Sequence, residues 1–298
     1  KYPRLPDEPA LAGTVVGAVI QDQVSSLHPA AALIVAPILD AVGVLHPEPM
    51  LAVMPDDPDL GEFREEFAGM LGLIEERPDE QEGDRPGFGG STKIVATETL
   101  YERREESPAN QVNPSTYLTA RLVDLMIGDW DRHHDQWRWA EVEEPGGVTR
   151  YHPIPRDRDY AFVDYDGLIM VAGRSFAPNA VRFDRSYNLD GLTLNAREVD
   201  HTFLTELDRA DWDSVTAFVV SRVTDAVIAD AVNRLPAALA GPEAQEIASI
   251  LRWRRDNLPV VAEGFYHLLA TEVDVRATPS FFADDVARWC SELELAGE

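Results

Sequence analysis

Two short segments carry the residues best suited to chemistry. The first is Gly128-Asp129-Trp130-Asp131-Arg132-His133-His134-Asp135-Gln136-Trp137, and the second is Pro153-Ile154-Pro155-Arg156-Asp157-Arg158-Asp159-Tyr160-Ala161-Phe162. Both concentrate carboxylates beside aromatic residues, an unusual use of tryptophan for a solvated loop. Phosphoryl transfer needs such carboxylates. One orients the attacking hydroxyl and accepts its proton, another holds magnesium against the phosphates, and an amide oxygen often completes the metal shell. Asp131 suits the first task, Asp157 the second and Gln136 the third. Asp159 follows Asp157 by two residues, so on an extended segment the two would face one side and share a metal. The plainer alternative makes Asp131 and Asp157 ion-pair partners of Arg132, Arg156 or Arg158. Asp129 and Asp135 read as solvated or capping groups. His133 and His134 suggest zinc only weakly, because no third His or Cys stands at a usual spacing.

These residues resemble the catalytic and metal loops of atypical kinases. The Asp131-Arg132-His133 element is similar to that of phosphoinositide lipid kinases and secreted Golgi casein kinases, and HipA-type kinases have a related Asp-x-His loop. The second segment resembles the Pro-Trp-Asp-x-Asp-Trp-x-Phe loop of CotH spore-coat kinases. The fuller string, residues 128–139 with 153–162, is similar to a group of bacterial proteins in which it can accompany metallophosphoesterase or outer-membrane barrel domains. The wider similarity runs from about residue 21 to Arg276, with only the two loops specific. The resemblance implies that Asp131 is the catalytic aspartate. It implies that His133 contacts the γ-phosphate or braces the loop. Asp157 and Asp159 become the magnesium ligands. Gln136 falls where many relatives have asparagine and is one methylene longer. It also implies ATP and Mg²⁺ as cofactors. The acceptor stays open among protein, carbohydrate and small molecule. An exported or periplasmic setting is favoured by the resemblance alone.

The expected fold is α+β, a protein-kinase-like pair of lobes with a mostly helical C-lobe and an N-lobe that is truncated here. Residues 1–78 read as a partial N-lobe with a hinge, 79–91 as a flexible linker, and 92–298 as the C-lobe. Residues 14–42 have helical spacing, with Pro29 fit for a first turn and Pro37 expected to kink or divide a helix. Residues 50–54 and 70–75 read as strands, and Leu73 and Glu75 on the second are candidate contacts for the adenine of ATP. Residues 60–69 read as helix. Asn113-Pro114 opens a helix that Gly128 stops. A hairpin turns at Pro145-Gly146-Gly147. Helices then follow from Asp200, one capped by Asp213 and carrying Val215, Val219, Val223 and Val227, others opened by Pro242 and Pro259. A short helix is expected over residues 280–295.

The departures are as telling as the matches. Kinase-like sites grip phosphates with a strand lysine paired to a helical acid. Lys1 and Lys93 are the only lysines in the chain. The phosphate loop and its strand are therefore expected before residue 1, with Asp22 a weak candidate for the helical acid. Gly87-Phe88-Gly89-Gly90-Ser91 lacks the flanking context of a phosphate loop. Without a lysine the chain reads instead as a binding module that has lost chemistry, and a metal-dependent phosphohydrolase or nucleotidyltransferase is a third reading.

Composition narrows the partners. With 53 acidic and 26 basic residues the net charge is −27, so nucleic acid and anionic membrane are poor partners. No run approaches the length of a membrane helix. One cysteine excludes an intrachain disulfide framework. Trp130, Trp137 and Trp139 read as core or cleft wall, and Arg252, Arg254 and Arg255 as partners of the chain's own carboxylates.

Overall fold

A computed structural model describes residues 27–83, 85–164 and 181–270. The fold is α+β: a two-stranded ribbon, a four-stranded sheet and a helical layer. Lys1, Asp22 and residues 280–295 lie outside the described residues.

Helix α1 (Ala31–Val42) contains Pro37, which does not divide it, and Pro29 lies just before it rather than in its first turn. Leu33, Ile34, Val35, Ile38 and Leu39 are all buried, and their burial outweighs the one lost backbone hydrogen bond. Gly43 ends the helix in left-handed conformation. Strands β1 (Pro49–Val53) and β2 (Leu71–Glu75) pair antiparallel, Met50 opposite Ile74 and Leu51 opposite Leu73. Between them the expected helix is a 3₁₀ turn (Pro58–Phe63) and a single α-helical turn, α2 (Arg64–Phe67). Gly61, at φ 55°, interrupts that turn.

The four-stranded sheet has the order β3 (Lys93–Ala96), β5 (Trp137–Glu144), β6 (Val148–Pro155), β4 (Asn110–Val112). The β5–β6 hairpin turns at Pro145, Gly146 and Gly147 as expected. Its register sets Trp137 opposite Pro155. Residues just before 137 and just after 155 therefore leave the same end of the hairpin, which brings the two acidic segments side by side. In the stretch read as a linker, Gln81 N–H donates to Thr92 O and Phe88 N–H to Asp79 O. Helix α3 (Thr97–Glu106) joins β3 to β4.

Helix α4 (Pro114–Ile127) is the central pillar. Asn113 caps it, accepting from Thr116 N–H at 3.0 Å, and Gly128 stops it at φ 77°. From Tyr117 to Ile127 every residue is buried, including Arg121 and Asp124. Trp137 and Trp139 on β5 pack against Tyr117, with ring centroids 4.9 and 5.8 Å away. Helices α5 (Leu189–Thr193), α6 (Arg197–Leu204), α7 (Arg209–Arg222), α8 (Asp225–Asn233) and α9 (Pro242–Ala270) build the helical layer.

Three helix boundaries differ from expectation. Asp208, not Asp213, caps α7, through a reciprocal capping box with Asp211. Thr224 starts a new helix, so Val227 belongs to α8 and not to the run that begins at Val215. Pro259 lies inside the 29-residue α9 and opens nothing. Leu258, Val261, Ala262 and Phe265 are buried on either side of it, which carries the helix across the proline at a cost of roughly 3 kcal/mol.

Candidate functional site

The backbone brings the two segments together before any side chain acts. Gly128 turns the chain out of α4, and Asp129 N–H donates to Asp124 O at 2.9 Å. Phe162 N–H donates to Ile127 O at 3.0 Å, so the second segment returns to the end of α4. Arg156 N–H donates to Gln136 O at 2.9 Å, extending the hairpin pairing into the site.

Arg132 is the lock between them. It is buried, and its Nη2 donates to the carbonyls of Arg156 at 2.7 Å and Asp157 at 2.6 Å, while Nε donates to Asp131 O at 3.0 Å. Its guanidinium also lies 5.7 Å from the centre of the Trp137 ring. One side chain thus fixes the backbone at both 131 and 157.

Behind this lock runs a buried chain of ions. Arg121 binds both oxygens of Asp200, at 2.8 and 3.1 Å, and Asp124 at 3.0 Å. Arg158 bridges Asp124 at 2.5 Å and Asp129 at 3.1 Å, and Arg132 approaches Asp129 at 3.5 Å. Tyr117 OH donates to Asp200 at 2.8 Å. Three guanidinium groups balance three carboxylates, which is how such charges persist away from water. Burial pushes Asp129 upward against the pull of Arg132 and Arg158. Asp129 is therefore a buried structural group, not the solvated or capping residue expected from the sequence. Among the described residues no ion pair joins Asp131 or Asp157 to an arginine: Arg132 and Arg158 pair with Asp124 and Asp129, and Arg156 lines the cleft beside Asp157.

Asp157 leaves β6 in left-handed conformation, φ 54°. The segment turns here rather than running extended, and the turn is closed by Asp159 N–H donating to Asp157 Oδ1 at 3.3 Å. Aspartate tolerates this conformation better than most residues. The turn still sets both carboxylates on one cleft of about 280 Å³, lined by Ala32, Leu73, Glu75, Arg156, Asp157, Arg158 and Asp159. Four residues singled out in the sequence, Leu73, Glu75, Asp157 and Asp159, meet there. Desolvation in the cleft, then the charge of Asp157, pushes Asp159 up to about 6. Glu75 is raised by desolvation, with Asp157 adding and Arg158 opposing.

Asp131 and His133 do not line that cleft. Asp131 Oδ1 accepts from Asn195 Nδ2 at 2.9 Å, and His133 Nε2 is 3.9 Å from the same oxygen. His133 Nδ1 accepts from Asp135 N–H at 3.3 Å, which leaves Nε2 as its donor. Burial raises the Tyr160 phenol first, and the charges of Asp131, Asp159, Asp157 and Asp129 raise it further. Tyr160 packs on Trp130 at 4.4 Å between ring centroids. Gln136 turns its amide nitrogen toward Asp157 Oδ2 at 3.4 Å.

Asn195 was not visible in the sequence pattern, because it lies 64 residues from Asp131 and belongs to no motif. Lys93 sits at the exposed start of β3 opposite Glu141, away from the cleft lining. Residues 88–90 form a 3₁₀ turn, not a loop between strand and helix. Trp137 and Trp139 are core, and Trp130 is a partly buried wall. Arg252 and Arg255 pair with Asp225, but among the described residues Arg254 binds no carboxylate and instead holds the carbonyls of Leu125, Asp184 and Ser186. His134 reaches Glu98 at 3.0 Å and Asp135 at 3.6 Å on the surface. Among the described residues no helix is long and apolar enough to cross a membrane.

No family model matches the chain, and no curated protein matches it. Among solved structures it is similar in fold to the Shewanella oneidensis MR-1 toxin–antitoxin complex of HipA, HipB and operator DNA, at TM-score 0.44 and 15% identity over 82% of this chain. It spans 58% of that structure's chain. It is also similar to the Helicobacter pylori proinflammatory kinase CtkA, at TM-score 0.41 and 14% identity, over 80% of this chain and 87% of the other.

Proposed function

We propose that the chain is a phosphotransferase of the atypical kinase class that uses ATP and Mg²⁺ on a hydroxyl acceptor. The observation that carries this is one cleft shared by Asp157, Asp159 and Glu75, in which Arg156 and Arg158 also stand but close no ion pair on these carboxylates among the described residues, and which is tied through Arg132 to the loop of Asp131. An all-oxygen, carboxylate-rich donor set suits magnesium. Asp157 and Asp159 would hold the metal, which would offset the charge of the nucleotide phosphates. Gln136 steadies Asp157. Leu73 and Glu75 on β2 border the nucleotide. Asp131 orients and deprotonates the acceptor hydroxyl, and His133 braces its loop.

A second reading is favoured by one observation. Lys93 stands away from the cleft, so no described lysine meets the phosphates. A nucleotide-binding module without turnover would look the same.

Phosphorus NMR of the full chain with ATP or UTP, Mg²⁺ and casein as hydroxyl donor separates the readings. ADP with phospho-casein supports the kinase. Free phosphate alone supports a phosphohydrolase, and release of pyrophosphate with AMP transfer supports a nucleotidyltransferase. Binding without any product supports the module.

A further inference from the structure

We infer that Asn195 is the positioning residue for Asp131, and that it holds that carboxylate without neutralising it. The inference rests on the phosphotransfer reading above and adds a residue that no motif supplies.

A general base must present one lone pair to the acceptor hydroxyl in a fixed direction. A carboxylate on a loop rotates about its last bond unless one oxygen is anchored. Asn195 Nδ2 anchors Oδ1 of Asp131 at 2.9 Å. Among the described residues, Oδ2 accepts no hydrogen bond, so the anchor leaves one oxygen for the acceptor. The Asp131 side chain is only 17% exposed, enough for one approach and too little for free rotation.

The chemistry of the donor matters as much as its position. A guanidinium or ammonium at this distance would oppose the negative charge and weaken the base. Three guanidinium groups lie behind the site, and all are engaged elsewhere: Arg121 with Asp200 and Asp124, Arg158 with Asp124 and Asp129, Arg132 with Asp129 and three carbonyls. Asp131 receives a neutral amide instead. His133, at 3.9 Å, is beyond hydrogen-bond reach of the same oxygen and pairs with it as an ion only when its imidazole is protonated.

The position of Asn195 is set by buried neighbours. It lies in a 3₁₀ turn (Leu194–Ala196) between α5 and α6. Asn188 caps α5 by accepting from Gly191 N–H at 3.1 Å. Leu192, Thr193, Ala196 and Val199 are buried around the turn. One helical turn further on, Asp200 is clamped by Arg121 of α4. The pillar that ends in the Asp131 loop thus also fixes the turn that bears Asn195.

The test uses the full chain with ATP, Mg²⁺ and casein as hydroxyl donor, following ADP and phospho-casein formation in single turnover and nucleotide affinity by calorimetry. Asn195→Leu should slow turnover at least 30-fold while changing MgATP affinity less than twofold. Asn195→Asp, close in shape but unable to donate, should be at least as slow. Asn195→Gln, which keeps the donor, should recover part of the rate. Adding Asn195→Leu to Asp131→Asn should slow turnover no further, since the anchor acts only through that carboxylate. Turnover of Asn195→Leu or Asn195→Asp within twofold of wild type would overturn the inference, as would a loss that adds fully to that of Asp131→Asn. Wild type that forms no ADP would instead remove the phosphotransfer reading, and the inference with it.

Discussion

Arg132 donates to the backbone carbonyl of Asp157 at 2.6 Å, while its Nε donates to the carbonyl of Asp131. The pair of loops is therefore fixed through main chain, not through the carboxylates that the chemistry needs. A salt bridge from Arg132 to either side chain would have served the fold and closed the site. The guanidinium takes its counter-charge from Asp129 instead.

This arrangement makes Arg132 a stability residue with a functional consequence. Arg132→Met should destabilise the chain by ~3–5 kcal/mol, because it strips a buried carboxylate of a partner and leaves carbonyls unsatisfied. Chemical denaturation measures it. Binding of MgATP should weaken as well, since the backbone at 157 loses its anchor. A loss under ~1 kcal/mol, within the range of ordinary surface changes, would contradict the buried network.

Asp159 gives a pH signature without metal. Its carboxyl titrates near 6 in the fold and near the usual aspartate value when unfolded. The folded state holds the proton more tightly, so this group's contribution is full below about 4 and is lost as pH rises through about 6. Asp159→Asn should gain stability relative to wild type over that interval in EDTA. The gain should stay below ~1 kcal/mol, because the side chain keeps contact with solvent at the cleft. Melting temperatures of both proteins at pH 4 and pH 7.5 check it. A constant difference between the two pH values would remove the assigned cause.

The start of α7 discriminates between two neighbouring aspartates. Asp208→Ala should cost ~1 kcal/mol by removing the capping box, whereas Asp213→Ala, one turn inside the helix, should stay within ~0.5 kcal/mol. Equilibrium urea denaturation of the two variants compares them directly. Equal losses would contradict the observed cap.

The parts legible in sequence were those set by local chemistry. Asn113-Pro114 and Gly128 bound α4 because capping needs only neighbouring backbone, and the Pro145-Gly146-Gly147 turn fixes the hairpin that juxtaposes the acidic segments. What stayed hidden depends on distant partners. Asp200 meets Arg121 across 79 residues and Asn195 meets Asp131 across 64, with no shared spacing to reveal either. One clue to the buried ions was available: Arg121 and Asp124 interrupt an otherwise apolar helix three residues apart, on one face. Pro259 misled because packing on both sides of α9 overrides a local helix breaker. Asp213 misled because Asp208 and Asp211 satisfy the helix start reciprocally, a geometry that residue type alone does not rank. The chain turns at Asp157 instead of running extended, yet the turn delivers both carboxylates to one cleft.

The claim on which the account turns is that Asp157 holds the metal of a bound nucleotide while Asp131 acts on the acceptor. A thermal-shift titration of the full chain with MgATP, run beside Asp157→Asn and Asp131→Asn, addresses it. Wild type and Asp131→Asn should be stabilised with matching midpoints, and Asp157→Asn should need at least tenfold more nucleotide, or ~1.4 kcal/mol in binding free energy. An Asp157→Asn midpoint equal to that of wild type would contradict the account.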